Sequence, residues 1–174
     1  MKLTEIARKT LEKYFSNEKF MPTGEDRKKY YEKGACFVTL TMNDVLRGCV
    51  GSLVATKNLW QDVVDNAINA AFNDYRFPPL RKEELEHVKI EVSVLSPATQ
   101  IKYKNSADLL NKIKKTYGII LESQGVNATF LPQVWEQVPK KKTFMEELSM
   151  KAGLDKTAWM KAKIYYYTIQ AEKE

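Results

Sequence analysis

A cysteine lies between two glycines, and two residues after an arginine, in the segment Leu46-Arg47-Gly48-Cys49-Val50-Gly51. Glycine within a strand costs about 0.5–1 kcal/mol relative to alanine and usually marks a bulge or the close approach of a backbone or ligand. Because side chains alternate along a strand, Arg47 and Cys49 are expected on one face, where the guanidinium would favour the thiolate. The segment therefore predicts a site in which Cys49 is the reactive residue and Arg47 binds an anion. Gly48 and Gly51 would allow the ligand to approach closely.

A second group of polar residues lies in a loop that two prolines make rigid. The stretch Asn73-Asp74-Tyr75-Arg76-Phe77-Pro78-Pro79-Leu80 cannot continue a helix through its prolines, so Asp74, Arg76 and Phe77 should be held in fixed positions. Charged residues on rigid loops often bind ligands. The alternative is an ion pair between Asp74 and Arg76 that only fixes the loop.

Glu91 is a carboxylate whose role depends on its surroundings. The segment Val88-Lys89-Ile90-Glu91-Val92-Ser93-Val94 alternates apolar and polar residues, which predicts a strand with its apolar residues in the core. Glu91 then lies on the opposite face, which is normally solvated in an antiparallel sheet, so it is a catalytic candidate only if that face lines a cleft. The single histidine, His87, has no second ligand or base nearby in the sequence and is expected on the surface.

The composition is that of one ordinary globular domain. The chain has 174 residues, 44% of them hydrophobic and 29% charged, which is enough for a single domain over residues 1–174. Charges every few positions at the N-terminus predict neither a signal peptide nor a membrane span, so we expect a soluble cytoplasmic protein. The two cysteines make no disulfide framework, and the sequence has no Walker, Rossmann, three-cysteine or zinc pattern. We therefore predict no metal and no cofactor in this chain.

The net charge of +6 comes mostly from the C-terminal part, where 13 lysines face 8 acidic residues in residues 101–174. Two lysine runs stand out there: Lys112, Lys114 and Lys115, followed by Lys140, Lys141 and Lys142. They could bind RNA or another anionic partner, although a lysine run is more often a solvated face. All five arginines precede residue 82, which favours a specific anion site in the first half.

Residues 35–53 are predicted to form the hairpin that presents Cys49. Asn43-Asp44 suits a two-residue turn, which would place Val38 opposite Cys49 and Leu40 opposite Arg47. Cys36 would then lie diagonal to Cys49 on the same face, about 7–8 Å away and too far for a disulfide. Two free thiols on one face are therefore expected, and a bulge at Gly48 would shift this register.

The remaining patterns predict a mixture of helices and strands, hence an α+β fold of antiparallel or mixed sheets with flanking helices. Helices are expected over 3–16, 58–73, 81–86, 106–116 and 143–153, with helical turns near 25–31 and 132–137; further strands are expected over 118–123, 126–131 and 161–171.

Four stretches match a known family when taken together. They are Gly34-Ala35-Cys36-Phe37-Val38-Thr39-Leu40, the Leu46–Gly51 segment, Ala70-Ala71-Phe72 continuing through Leu80, and Ile90-Glu91-Val92-Ser93-Val94-Leu95-Ser96-Pro97. Leu131-Pro132-Gln133-Val134 and Lys151-Ala152-Gly153-Leu154 extend the match over nearly the whole chain. On these segments the chain resembles the AMMECR family, whose prokaryotic members are called AmmeMemoRadiSam system protein A.

The resemblance implies a larger and a smaller subdomain, with the smaller expected near the N-terminal hairpin at about 18–55, and the arginine-glycine-cysteine motif near the groove between them. It suggests partnership with a radical-SAM protein and a Memo-type protein, in a modification system that could act on nucleic acid. It also adds Gln133 to the ligand-binding candidates. Two positions depart from the family pattern: Tyr75 replaces a common proline, and Ser149 replaces a cysteine that many relatives have.

Three interpretations follow for the Leu46–Gly51 segment. The preferred one is a pocket of Arg47, Cys49, Asp74, Arg76 and Glu91 that binds an anion, with Cys49 as thiolate or hydrogen donor. The second is a non-catalytic module that binds RNA or a protein. The third is structural, with both cysteines buried and the glycines shaping the sheet.

Overall fold

The computed structural model describes residues 1–174, which divide into two compact units. The first comprises Met1–Leu95 and Gln170–Glu174, and the second comprises Ser96–Ile169. Residues 18–55, which were expected as a smaller subdomain, lie within the first unit. No helix is both long and apolar enough to cross a membrane.

The first unit is a four-stranded antiparallel sheet with helices on one face. Its helices are α1 (Leu3–Phe15), α2 (Gly24–Lys29) and α3 (Leu59–Ile68), followed by a π-helical turn (Asn69–Asn73) and a 3₁₀ turn (Lys82–Glu84). Its strands β1 (Ala35–Met42), β2 (Val45–Gly51), β3 (Val88–Leu95) and β8 (Ile169–Lys173) are arranged in the order β2-β1-β3-β8. Apolar residues at helical spacing in α1 and α3 pack on the alternating apolar residues of β1 and β3 to form its core.

The second unit has its own four-stranded sheet and core. Its strands β4 (Thr99–Ile101), β5 (Gly118–Ser123), β6 (Val126–Phe130) and β7 (Lys163–Tyr167) are ordered β4-β7-β5-β6. Its helices are α4 (Ser106–Lys112), α5 (Val134–Gln137) and α6 (Lys141–Lys151), with a 3₁₀ turn at Ala158–Met160. Trp135, Phe144 and Trp159 are the large residues at the centre of this core. The predicted α+β class is confirmed.

The prediction of a single closing strand over 161–171 is wrong, because residues 163–173 form two strands, β7 and β8, in different sheets. The break occurs at Thr168, whose N–H donates to the Ser96 hydroxyl at 3.0 Å and whose carbonyl accepts the Ser96 N–H at 2.9 Å. This pairing with Ser96, 72 residues away in the sequence, coincides with the break between the two strands.

The predicted register of the β1–β2 hairpin is also wrong beyond its turn. Asn43 and Asp44 form the expected two-residue turn with positive φ, and Met42 faces Val45. The register then shifts, because Leu46 faces Thr41 but Gly48 faces Leu40, which makes Arg47 an extra, bulged residue.

The bulge places the two cysteines on opposite faces of the sheet. Cys49 now faces Thr39 rather than Val38. Cys36 lies in the core with Val38 and Leu40, which alternate with Thr39, so the prediction of a shared face for the thiols is wrong. The prediction that both cysteines are free is confirmed.

Gly48 is required by the contact between β2 and the π-helical turn. A Cβ built on Gly48 would lie 2.1 Å from the carbonyl oxygen of Ala70, a backbone atom that cannot move aside alone. A Cβ on Gly51 would lie 2.4 Å from the Phe37 ring. The protein itself therefore fills the space beside both glycines.

We predict that Gly48→Ala destabilises the fold by about 1–3 kcal/mol, the usual cost of overpacking, because β2 and the π-helical turn must separate. Urea denaturation followed by circular dichroism measures this change. Gly24→Ala is the matched control, since no atom lies within 4 Å of its added Cβ. Equal stability of the two variants would contradict this account of the contact.

Candidate functional site

The outer edge of the first unit's sheet is closed by two side chains at the position of Cys49. β2 is the edge strand, so its outward backbone groups have no neighbouring strand. The Cys49 N–H donates to Asp74 Oδ2 at 2.9 Å, and the Cys49 carbonyl accepts from Arg76 Nη2 at 3.0 Å. Asp74 and Arg76 thus pair with Cys49 as a neighbouring strand would.

The Asp74 carboxylate also binds Arg76 directly. Asp74 Oδ1 accepts from Arg76 Nε at 2.9 Å and from its backbone N–H at 3.2 Å, and Asp74 Oδ2 accepts from Nη2 at 2.7 Å. Chiefly because of the hydrogen bond from Arg76, the pKa of the buried Asp74 falls to about 2. A pKa below that of the unfolded chain means that this pair stabilises the fold at neutral pH and stops doing so as the pH falls from about 4 to 2.

The π-helical turn and the loop after it hold Asp74 in place. Each backbone hydrogen bond of a π-helical turn spans five residues, compared with four in an α-helix. The turn follows α3 directly and brings Ala70 against Gly48. The loop is then fixed by Phe77 N–H donating to Asp74 O at 3.0 Å and by Leu80 N–H donating to Ala71 O at 2.7 Å. The rigid loop predicted from the two prolines is present.

Arg47, the bulged residue, uses its side-chain donors to bind the same loop and Glu84, which follows that loop. Its Nε and Nη2 each donate to the Glu84 carboxylate at 3.0 Å, and its Nη1 and Nη2 donate to the carbonyls of Pro78 and Pro79. Only 11% of its side chain is exposed. The hydrogen bond from Arg47 is the main reason that the pKa of Glu84 falls to about 2. Arg47 therefore fixes the far end of the loop, and an anion would have to compete with Glu84 for it.

Arg76 is the arginine of this group that remains open to solvent. Its side chain is 44% exposed although three of its hydrogen bonds are made to Asp74 and Cys49. Its Nη1 makes no hydrogen bond, and its guanidinium lies over the Phe77 ring at 5.5 Å. The side chain is thus held in one orientation while one amino group stays available.

The Cys49 thiol lies in a polar row that crosses three strands. Thr39 of β1 faces Cys49 on one side and Glu91 of β3 on the other, and the Thr39 hydroxyl lies 3.3 Å from Cys49 Sγ. Glu91 accepts from Ser93 Oγ at 3.1 Å and pairs with Lys173 at 2.8 Å. Cys49, Thr39 and Glu91 therefore share the sheet face opposite the core.

The thiol form of Cys49 is favoured over the thiolate. Burial is the largest influence and raises the pKa of Cys49, assisted by the nearby charges of Asp74 and Glu91; the Thr39 hydrogen bond and the Arg76 charge act in the other direction. The cation beside the thiol is therefore Arg76, and the prediction that Arg47 favours a thiolate is wrong. The bulge at Arg47 is the physical reason, since it redirects that side chain to Glu84.

Cys36 is held in a separate buried polar cluster. Its N–H donates to Asp62 Oδ2 at 2.9 Å, and its carbonyl accepts from the Asn66 amide at 3.3 Å. The Ser52 hydroxyl donates to the other Asp62 oxygen at 2.7 Å. Burial raises the pKa of the Cys36 thiol, and the side chain is fully enclosed. The structural interpretation therefore fits Cys36.

Gln133 and the lysine runs belong to the second unit. Gln133 is exposed at the start of α5. Lys141 donates to the Leu110 carbonyl at 2.7 Å, which brings the end of α4 and the start of α6 together. Lys112 pairs with Asp108, and Lys142 lies 3.9 Å from Glu146. Local partners thus occupy three of the six lysines in these runs, Lys112, Lys141 and Lys142.

Thr39 and Glu84 were missed as residues of this site. Thr39 could have been found, because it alternates with the buried apolar residues of β1 and so lies on the polar face. Glu84 has no local signal, since its partner Arg47 is 37 residues away and meets it only through the bulge. His87 is exposed, as predicted.

Comparison with known proteins assigns the chain to a family. The AMMECR1 family model matches residues 4–173. The chain belongs to the AMMECR1 family. Among its AMMECR1 relatives, Protein NEQ441 of Nanoarchaeum equitans is 37% identical over 99% of this chain and 97% of its own length. Protein MK0488 of Methanopyrus kandleri is 34% identical over 98% of this chain and 84% of its own.

The AMMECR1 fold is also seen in a crystal structure. The uncharacterized protein PH0010 from Pyrococcus horikoshii has a TM-score of 0.91 and 31% identity to this chain, covering 99% of this chain and 89% of that one. The names of these AMMECR1 proteins state no reaction. Family membership therefore supports the fold but does not identify a reaction.

Proposed function

We propose that this chain binds an anionic ligand or substrate at the sheet edge, where Arg76 binds the anion and the Cys49 thiol contacts the ligand. The observation that carries this proposal is the Nη1 group of Arg76, which makes no hydrogen bond although the rest of the guanidinium is fixed. A guanidinium that is already ordered loses little conformational entropy when it binds a carboxylate or phosphate.

The other residues of the site have supporting roles in this proposal. Asp74 and Phe77 hold the Arg76 guanidinium, and Arg47 keeps the loop closed through Glu84. Gly48 and Gly51 allow β2 to approach the π-helical turn and Phe37. Glu91 lies across Thr39 from the thiol on the same sheet face, and we propose that it contacts the same ligand. Because the pKa of Cys49 is raised, the S–H form predominates at neutral pH, which suits a hydrogen donor better than a nucleophile.

Alkylation with two reagents of different charge tests the Arg76 proposal. We predict that iodoacetamide modifies Cys49 in the native protein but not the enclosed Cys36, and that the apparent pKa of the reaction is above that of a free thiol. Iodoacetate carries a carboxylate, so Arg76 should draw it to Cys49. The iodoacetate-to-iodoacetamide rate ratio should then fall about three- to tenfold in Arg76→Gln. Peptide mass spectrometry gives both rates.

Two variants serve as controls for this ratio. Arg76→Lys keeps the charge and should restore part of the ratio, whereas Arg81→Gln removes an arginine whose side chain is 75% exposed and should leave the ratio unchanged. The proposal is wrong if Arg76→Gln and Arg81→Gln give the same ratio as the unmodified sequence. Equal inertness of both thiols would remove Cys49 from the site.

We further propose that the ligand is a substrate of a modification system that includes a radical-SAM protein and a Memo-type protein. The support is the resemblance of the chain to the prokaryotic members named for that system. Co-expression with each of these proteins from the same genome, followed by affinity purification, should recover a complex. Recovery of neither protein would contradict the partnership without bearing on anion binding by Arg76.

A further inference from the structure

Tyr75 is the most exposed large side chain beside the site, at 96% exposure. It lies between Asp74, which is buried, and Arg76, which carries the available amino group. No ring or hydrogen-bond partner within the protein holds the Tyr75 side chain. An aromatic ring of this size in full contact with water has apolar surface that a ligand could bury.

The backbone on both sides of Tyr75 is fixed. Asp74 is bound to the Cys49 N–H, and the Arg76 N–H donates to Asp74 Oδ1. Phe77 N–H then donates to the Asp74 carbonyl, which closes a turn around Tyr75. The ring is therefore presented from a rigid turn, so stacking a ligand on it costs little backbone ordering.

We propose that Tyr75 stacks on the planar ring of a ligand whose phosphate binds Arg76, which makes the ligand a nucleotide. This inference rests on the proposed anion site and names the chemical class of its ligand. A guanidinium matches the geometry of a phosphate, and an aromatic side chain stacks on any nucleobase. Because Tyr75 and Arg76 are consecutive, one mononucleotide can contact both.

Comparison of two small probes tests this inference. Adenosine 5′-monophosphate and ribose 5-phosphate carry the same phosphate, and only the first has a base. We expect AMP to bind about tenfold more tightly in calorimetric titrations, and to protect Cys49 from iodoacetamide at correspondingly lower concentration. Tyr75→Ala should remove this difference by weakening AMP binding, and Tyr75→Phe should retain it.

Control variants separate stacking from the anion site. Tyr31→Ala removes another exposed tyrosine of the same unit, 67% exposed, and should leave the tenfold difference intact. Arg76→Gln should weaken both probes together. Equal affinities for AMP and ribose 5-phosphate, or a difference that survives Tyr75→Ala, would overturn the nucleotide inference while leaving the anion site standing. Failure of both probes to bind would contradict both.

A third probe distinguishes a free nucleotide from one within a strand. If the ligand is part of a nucleic acid, single-stranded hexaadenylate should bind more tightly than AMP, with an affinity that falls steeply with salt. If it is a free nucleotide, hexaadenylate should bind no better than AMP. In either case the Tyr75→Ala variant loses the base-dependent part of the affinity.

Discussion

The Asp74 carboxylate is the group on which the candidate site depends. It accepts four hydrogen bonds, one from the Cys49 backbone and three from Arg76, in a position where its residue is 5% exposed. A buried carboxylate is costly unless it is paired and hydrogen-bonded, so removing its partners would leave an uncompensated charge in this position. Asp74 therefore fixes Arg76, the Cys49 backbone and the edge of the sheet relative to one another. Without it, the edge strand would have an open N–H and the guanidinium would be free to move.

Three features of the chain bring Asp74 to this position. The π-helical turn ends α3 with Ala70 against the sheet, Gly48 has no Cβ to obstruct that approach, and the bulge sends Arg47 to Glu84. The loop between them is therefore held at Asp74 by β2 and at Pro78 and Pro79 by Arg47. Arg47 and Arg76 have different roles: Arg47 holds the loop, and the Arg76 side chain faces solvent. The exposure of the two side chains, 11% against 44%, reflects this division.

Strong periodicity made much of the fold predictable. The alternation of β3 and the helical spacing in α1 placed both elements correctly, and the two prolines predicted a rigid loop. The face on which Arg47 lies was not predictable, because Gly48 indicated a possible bulge but did not show that Arg47 is the extra residue, and a single bulged residue reverses the alternation. The break at Thr168 depends on Ser96, which is 72 residues away, so the tyrosine-rich segment alone indicated one strand. The hairpin register and the break at Thr168 therefore depend on contacts between distant residues, which local sequence patterns do not show.

Amide hydrogen exchange at Cys49, measured by NMR, tests the role of Asp74 most directly. An outward-facing N–H on an edge strand exchanges readily unless another group accepts it. Cys49 is predicted to exchange as slowly as the sheet-bonded amides of β1, and Asp74→Ala should accelerate exchange at Cys49 while the β1 amides stay protected. Fast exchange at Cys49 in the unmodified protein, or slow exchange that persists in Asp74→Ala, would contradict the claim that this carboxylate closes the sheet edge and organises the site.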